Sequence, residues 1–308
     1  MQTRWTSFLA GLLFLASGLP LQNSPREKVD AAHPPSLHAE RTSPLDLEVA
    51  GDLPGSPSGA VRYLTREDLL AMPQVTFVVK NDANFTGPTE VSGVLLEELI
   101  RQLAAAPESD MAVAICDDQY RANYPQAYIA AHQPLLVLKV NGKPPSGWPK
   151  DAEDHTSDMG PYMISHRTFL PSFKASAYGD EAQIPWGVIQ IEFRNEKTVY
   201  GAIAPSGPHA ADEGVQHGYW IAKQNCFRCH NNGAEGGTKA GRPWIVLSAW
   251  ATASPEYFAA YVRNPQAKNP HALMPGNPSY NDKIVEALTA YFRTFSSASP
   301  ALAAQEKP

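Results

Sequence analysis

Cysteine, long apolar runs and clustered positive charge are all scarce in this chain of 308 residues. Cys116 stands far from the other two cysteines, which excludes a zinc site built from two cysteine pairs. The formal net charge is −6 and no basic run occurs, so a nucleic-acid partner is not expected. The apolar run at residues 8–19 is short for a membrane span, which needs about 20 residues. Hydrophobic residues nevertheless make up 43% of the chain, enough for the cores of about two domains.

The other two cysteines lie in the stretch Cys226-Phe227-Arg228-Cys229-His230. Two cysteines separated by two residues and followed directly by histidine form the attachment signature of c-type haem. Each thiol adds across one vinyl group of the porphyrin, and the histidine gives the iron an axial nitrogen ligand. The spacing therefore predicts one covalent haem c, held by Cys226 and Cys229, with His230 bound to the iron. A structural disulfide or a metal site at the two cysteines is the alternative.

The first residues are typical of an export signal. Arg4 precedes the apolar run, and Ala16-Ser17-Gly18 supplies the small residues that a signal peptidase accepts. We expect a signal peptide over residues 1–21 and a periplasmic or otherwise exported protein, which agrees with a haem that is attached after export. The alternative is an uncleaved signal that anchors the chain in a membrane. No cysteine follows the run, so a lipoprotein anchor is not expected.

Two stretches rich in proline, serine and glycine divide the rest of the chain. We interpret residues 22–60 as a flexible linker and residues 204–213 as a second linker. Between them lies a central region, 61–203, and after them a haem region, 214–296, followed by a tail, 297–308. The central region has β-rich runs and helical patterns without strict alternation, which predicts an α+β domain. The predicted strands cover 75–80, 111–116, 135–140, 188–193 and 198–203, and the predicted helices cover 94–106 and 126–132.

The sequence of the haem region predicts a series of helices. A helix over 214–225 leads into the motif, Ser254-Pro255-Glu256 is a helix start, and residues 281–295 carry apolar side chains on one helical face. In this order the motifs resemble a class I cytochrome c domain, which is all-α. The resemblance implies that Gly218 lets the first and last helices cross closely, although a glycine tolerated inside a helix is the alternative. It also implies that Pro243 offers its backbone carbonyl to the second ring nitrogen of His230, unless it is an ordinary turn proline.

The sixth position of the iron is expected to be filled from the stretch His271-Ala272-Leu273-Met274-Pro275. The resemblance to the cytochrome family implies Met274, whose thioether favours Fe(II) and raises the reduction potential. The alternative is that Met274 has a purely structural role and fills a gap in the core. His271 is the competing ligand, because imidazole binds iron firmly and lies three residues away.

The central region resembles the molybdopterin-binding domain of sulfite-oxidase-like oxidoreductases in short motifs at 64–73, 91–100, 117–120 and 140–145. Active members of that family carry a cysteine thiolate to molybdenum between the first strand and the following helix. The corresponding interval here, residues 81–90, has no cysteine. A molybdopterin cofactor is therefore not expected, and Cys116 is predicted to be a small buried apolar residue.

A group of possible metal donors lies in one part of the central region. Carboxylate, imidazole and thioether groups of this kind could bind copper or another metal in an exported protein. A polar loop that serves for docking is the alternative. The residues are Asp154, His155, Asp158, Met159, Met163 and His166.

Three classes of function are compatible with these features. We predict an exported monohaem cytochrome that transfers single electrons between redox proteins such as a dehydrogenase, an oxidase or another cytochrome, with the central domain as a docking or assembly module. It is expected to be an electron-transfer protein rather than a catalyst. The first alternative is the haem subunit or fusion of a sulfite-dehydrogenase-like molybdenum oxidoreductase. The second is a haem-based ligand sensor, which would require an open iron.

Overall fold

A mixed β-sheet lies at the centre of this computed structural model, which describes residues 35–57, 59–103, 106, 108–152, 156–167 and 179–296. Its strands are β1 (Leu47–Gly51), β2 (Arg62–Leu64), β3 (Val75–Val79), β4 (Thr89–Leu95), β5 (Met111–Cys116), β6 (Arg121–Pro125), β7 (Pro134–Val140), β8 (Tyr162–His166) and β9 (Trp186–Arg194). The helices among them are α1 (Arg66–Ala71), α2 (Leu96–Leu103), α3 (Gln126–His132) and α4 (Glu196–Gly201). The fold of the central region is thus a mixture of strands and helices.

The order of the sheet is β2-β1-β9-β8-β7-β4-β3, and β5 pairs with both β6 and β9. The pairing of β1 with β9 is parallel, whereas the remaining pairings are antiparallel. Strand β9 pairs with β1, β8 and β5, so it joins the two branches of the sheet. The carboxyl end of β9 leads directly into α4 and the helical region.

Strand β5 is buried on both faces and separates two hydrophobic cores. Successive side chains of a strand point to opposite faces of a sheet. Ala112, Ala114 and Cys116 accordingly pack into the core that lies among the strands and α1 to α3. Met111, Val113 and Ile115 pack instead against the C-terminal helices. The sheet and the helices therefore share a core.

Residues 204–296, all of which the structure describes, contain four helices and no strand. These helices are α5 (Glu213–Asn225), α6 (Trp244–Ala253), α7 (Pro255–Arg263) and α8 (Asp282–Arg293). Asn281 caps α8 by accepting a hydrogen bond from the Ile284 backbone nitrogen at 3.1 Å. Pro255 begins α7 as the sequence predicts, because a proline at the first helical position gives up no hydrogen bond.

Three local features of the central region have causes in a few neighbouring residues, and the burial of Cys116 among them confirms the prediction. Thr65 and Asp68 form a reciprocal capping box at α1, in which the threonine hydroxyl accepts from the Asp68 backbone nitrogen at 3.1 Å. Asn141 and Gly142 both have positive φ angles and form a tight turn after β7. Cys116 is buried at the end of β5, and burial raises the pKa of its thiol.

Three predictions of secondary structure need correction. The predicted strand at 198–203 is wrong, because residues 198–201 belong to the helix α4. The Asn195 side chain caps this helix by accepting from the Thr198 backbone nitrogen at 3.1 Å. The predicted helix at 94–106 begins only at Leu96, since β4 continues through Leu95. The flexible linker predicted for 22–60 is wrong for Leu47–Gly51, which forms β1 and pairs with both β2 and β9.

The predicted signal peptide, residues 1–21, and the predicted tail, residues 297–308, lie outside the described residues. None of the described helices combines the length and the hydrophobicity that a membrane span requires.

Candidate haem-attachment site

The two cysteines of the motif follow helix α5 and lie on one face of a tight turn. The helix ends at Asn225, and the backbone nitrogens of Cys229 and His230 both donate to the Cys226 carbonyl, at 3.1 and 3.0 Å. This helix-like turn puts residues three apart on the same side. Cys226 and Cys229 are both half-buried with reduced thiols. Burial raises the pKa of Cys226 to about 12 and also raises that of Cys229, so both are protonated thiols at neutral pH.

Phe227 anchors the motif in the helical core. Its side chain is fully buried, and its ring centroid lies 5.6 Å from that of Trp244 and 6.3 Å from that of Tyr200. Offset and edge-on aromatic pairs at such distances stabilise a core beyond their buried area. The motif is therefore fixed by an aromatic residue between the two cysteines, which leaves the thiols at the surface of the core.

His230 is buried, with only 8% of its surface exposed, and its orientation is set by one hydrogen bond. Its Nδ1 lies 2.7 Å from the Arg242 carbonyl oxygen. Because a carbonyl can only accept, Nδ1 carries the proton and Nε2 keeps its lone pair. Burial lowers the pKa of His230, which also favours the neutral ring. A neutral imidazole oriented by a backbone carbonyl is the form that binds a metal.

The acceptor of this bond differs from the sequence prediction by one residue. Pro243 does not supply the carbonyl, because the oxygen that Nδ1 contacts belongs to Arg242. Pro243 is instead the residue from which α6 starts, with φ −71° and ψ 165°. A residue before proline is restricted to extended conformations. Pro243 thus restricts the backbone of the residue that carries the acceptor.

Two glycines bring the following loop against the motif. A Cβ atom at Gly237 would lie 1.8 Å from the Arg228 carbonyl oxygen. One at Gly236, whose φ is +92°, would lie 2.5 Å from the Phe227 ring. Only glycine fits at positions with such close backbone approach or such φ angles. The glycine-rich character of this loop is a consequence of how tightly it covers the motif.

The first and last helices of the region cross at Gly218, as predicted. A Cβ atom at Gly218 would lie 2.1 Å from the Ala287 carbonyl oxygen and 2.7 Å from the Tyr291 side chain. Glycine is thus required by the close approach of α5 and α8. The crossing fixes the direction in which α5 presents Cys226.

Met274 and His271 differ in their relation to the core. Met274 is half-buried and packs against the same core cluster as Cys226. His271 is exposed, and the intervening Leu273 is 93% exposed. The carbonyl of Met274 accepts a hydrogen bond from the Gln266 amide at 2.9 Å, which fixes the backbone of the loop. Of the two predicted candidates, Met274 is the one that faces the core.

Arg228, in the middle of the motif, connects the helices to the sheet region. Its guanidinium is hydrogen-bonded to Tyr120 and donates to the Ala182 carbonyl at 3.4 Å. Its backbone carbonyl accepts from the Arg121 nitrogen at 2.9 Å. The carboxylate of Glu181 lies 4.0 Å from the guanidinium. The sequence gives no signal of this role, because the partners of Arg228 are Tyr120, Glu181 and Ala182, which lie far away along the chain.

A cavity of about 390 Å³ lies elsewhere in the sheet region, next to the interval 81–90. Asn81 and Asp82 from this interval line it, together with Ser165 and His166 from β8. Cys116 is not among the lining residues. No thiol therefore reaches the cavity from the residues that line it.

The predicted metal cluster lies partly outside the described residues, because Asp154 and His155 are not described. Of its other members, Met159 and Met163 are buried in a hydrophobic core and His166 is buried beside Tyr128. Asp158 pairs with Lys150. Among the described residues no group of three or more histidine, cysteine and acidic side chains could hold a metal ion.

A solved structure is similar to this chain at low sequence identity. No protein-family model matches the chain, and no curated protein matches it. The crystal structure of the sulfane dehydrogenase SoxCD from Paracoccus pantotrophus is similar, with a TM-score of 0.35 and 17% sequence identity. The match covers 56% of this chain and 45% of that chain, so this chain spans less than half the length of the solved structure.

Proposed function

We propose that this chain is an exported c-type cytochrome that holds one covalent haem and transfers single electrons between redox proteins. The proposal is carried by the geometry of residues 226–230: two half-buried thiols on one face of a turn, beside a neutral imidazole oriented by the Arg242 carbonyl. When bound, a haem would supply a one-electron couple between Fe(II) and Fe(III).

Cys226 and Cys229 would attach the porphyrin. Each thiol adds its sulfur to one carbon of a vinyl group and its hydrogen to the other, so a thioether forms and nothing is released. The half-buried position of both sulfurs leaves them accessible to such a partner. The covalent bonds would fix the group beside the aromatic core that holds Phe227 and Trp244.

His230 and Met274 would be the two protein ligands of the iron. His230 would donate its Nε2 lone pair, while its Nδ1 hydrogen bond to Arg242 raises the basicity of the ring. Met274 packs against the same core as Cys226, whereas His271 is exposed. A thioether ligand raises the potential and would exclude small ligands from the iron. This favours an electron carrier over a ligand sensor.

The sheet region would support and dock the haem region. Met111, Val113 and Ile115 give β5 a face that packs against the helices, and the 117–121 turn bonds the motif itself. The molybdenum oxidoreductase remains the alternative, but none of the residues that line the cavity carries a thiol. We therefore expect iron near one per chain and molybdenum near background in protein from a host that makes both cofactors.

The proposal is tested by purifying the exported chain from a host with haem-maturation machinery and titrating it optically against potential. One reversible transition of one electron is expected, with no carbon monoxide complex of the reduced protein. Stoichiometric molybdenum would contradict the carrier function in favour of the oxidoreductase. Ready binding of carbon monoxide would favour the sensor.

A further inference from the structure

The cavity of about 390 Å³ in the sheet region has an excess of positive charge at its lining. Lys80, which follows β3, and Arg167, which follows β8, both line it and both have exposed side chains. The one acidic lining residue is Asp82, which is already an acceptor of two hydrogen bonds. Ser165 Oγ donates to its Oδ2 at 2.6 Å, and the Asn84 backbone nitrogen donates to its Oδ1 at 3.0 Å.

The imidazole on the inner wall of the cavity carries no charge at physiological pH. Burial lowers the pKa of His166 to about 3, which keeps that ring neutral, and burial raises the pKa of Asp82. A volume of this size lies within the range of small-molecule sites, which combine apolar walls with a few polar groups. Val79 and Ile184 supply the apolar part of the wall. Two cations at such a site favour an anionic ligand with oxygen acceptors.

One segment, residues 181–184, lines the cavity and also contacts the haem motif. Ala182 and Ile184 belong to the cavity wall. The carbonyl of Ala182 accepts from Arg228 at 3.4 Å, and the carbonyl of Ile184 accepts from the Asn84 amide at 2.9 Å. Ala182 therefore both lines the cavity and contacts the guanidinium of Arg228.

The same segment is tied to α5 and to the neighbouring tyrosines. The Glu181 backbone nitrogen donates to Gln224 at 2.6 Å, and its carboxylate accepts from Asn225 at 3.1 Å. Tyr124 donates to the Gln183 carbonyl at 2.7 Å. Tyr128, whose hydroxyl lies 3.0 Å from His166 Nε2, accepts from the Gln183 nitrogen at 3.0 Å. A displacement of the segment 181–184 would therefore move both the wall of the cavity and the groups that contact the haem motif.

We propose that the cavity binds a small oxyanion through Lys80 and Arg167, and that the segment 181–184 couples its occupancy to the oxidation state of the haem. The coupling rests on the proposed function, whereas the binding site does not. Coupling between two sites is reciprocal, so the oxidation state must change the affinity for the anion by the same factor as the anion changes the redox equilibrium. An anion bound near the motif stabilises the more positive ferric state, so the ferric protein is expected to bind it more tightly.

The test uses the full exported chain and inorganic phosphate, titrated by calorimetry at constant ionic strength in a chloride buffer. Saturable binding of one phosphate per chain is expected. Lys80→Gln and Arg167→Gln should each weaken it about tenfold, because each removes a charge-assisted hydrogen bond. Lys143→Gln, at an exposed lysine that does not line the cavity, is the matched control and should bind as the unmodified chain does. Acetate, titrated in the same way, distinguishes a carboxylate site from a phosphate site.

The coupling is measured by repeating the titration on the ferric and the ferrous protein, where about a fivefold difference in affinity is expected. Asn84→Ala, which removes the amide bond to Ile184, should reduce that difference while binding persists. If neither anion binds, or if both cavity variants bind like the control, the site is refuted. Equal affinity in both oxidation states would overturn the coupling. A colourless chain that still binds phosphate would count against the proposed function alone.

Discussion

The cores of the sheet region and the helical region differ in the side chains that dominate them. The sheet packs aliphatic side chains such as Leu136, Ile164 and Ile191 between its strands and helices. The helical core is built around Trp244, whose ring centroid lies 4.9 Å from that of Phe292 and 5.6 Å from that of Phe227. Aromatic side chains cover a large area and fix their neighbours by ring geometry.

This difference separates two tasks. The sheet supplies a backbone frame whose polar groups pair along the strands, and residues at the ends of β3 and β8 line its cavity. The helices supply a stiff aromatic core on which the thiols of Cys226 and Cys229 and the thioether of Met274 remain half-buried. The two partly exposed cysteines thus lie in the helical region, whereas Cys116 is buried in the sheet. Substitutions in each region can break this division of tasks.

Replacing both Cys226 and Cys229 by alanine has the largest expected effect. Without the two thiols no thioether can form, so the covalent haem content should fall to background. The pigment that remains on the chain after acid–organic extraction measures this. Cys116→Ala is the matched control, because its sulfur lies in the sheet core, and it should leave the haem content unchanged. A double variant that retains covalent haem would contradict the division.

Met274→Ala should abolish the weak near-infrared band of sulfur bound to ferric iron and should lower the midpoint potential. The change removes the thioether but leaves the backbone bond from Gln266 to residue 274 in place. Near-infrared absorption of the oxidised protein gives the result. His271→Ala is the control and should keep the band, because its side chain is exposed. If the band survives the loss of Met274, another residue is the ligand.

Gly218→Ala should destabilise the protein by about 3 kcal/mol, because a methyl group would overlap the Ala287 carbonyl where α5 and α8 cross. Denaturant unfolding measures the free energy. Gly214→Ala in the same helix meets nothing within 4 Å and should be neutral or stabilising by about 0.5 kcal/mol. Equal effects of the two changes would mean that the helices do not cross at Gly218.

Acidification should destabilise the sheet region through His166. Burial lowers the pKa of this ring from 6.5 to about 3, so between these values the unfolded chain binds a proton that the folded chain does not. The contribution of the neutral His166 ring to the free energy of unfolding is fully present above pH 6.5. It is lost as the pH falls toward 3, by at most about 1.4 kcal/mol per pH unit. Unfolding measured at pH 7 and pH 4.5 should give a smaller difference for His166→Gln. An unchanged difference would show that another group is responsible.

Asp118→Asn should have the smallest effect, below about 0.5 kcal/mol, although it removes the ion pair with Lys239 that links the two regions. Both side chains are about 40% exposed, so water and salt screen their attraction. Denaturant unfolding at low and high salt measures this pair. A loss of more than about 2 kcal/mol would mean that surface charge, rather than the shared core, holds the regions together.

Features with a local cause could be predicted from the sequence. The spacing of Cys226, Cys229 and His230 is read from adjacent residues, and the capping box at Thr65 needs only four residues. Strand β5 and helix α3 have the predicted bounds because their patterns are uninterrupted. The crossing at Gly218, by contrast, is implied by a resemblance to a known family and not by a local pattern alone.

Features that depend on distant partners could not be predicted. Strand β1 is identified by its pairing with β9, which lies far along the chain. Helix α6 has an apolar sequence without a polar face, so no helical pattern of polar and apolar residues marks it. Only the structure shows that Trp244, Leu247 and Ala251 enter the core. The path of the glycine-rich loop decides that Arg242, and not Pro243, accepts the hydrogen bond from His230. The buried position of Arg228 depends on its contacts with the sheet region.

The covalent state of Cys226 and Cys229 decides whether this chain is a c-type cytochrome. The exported chain, extracted with acid and organic solvent and digested, is measured by mass spectrometry. We predict that the peptide with residues 226–230 carries the mass of one haem and contains no free thiol. Recovery of this peptide with two free thiols or a disulfide, from protein made in a host that attaches haem to other cytochromes, would contradict it.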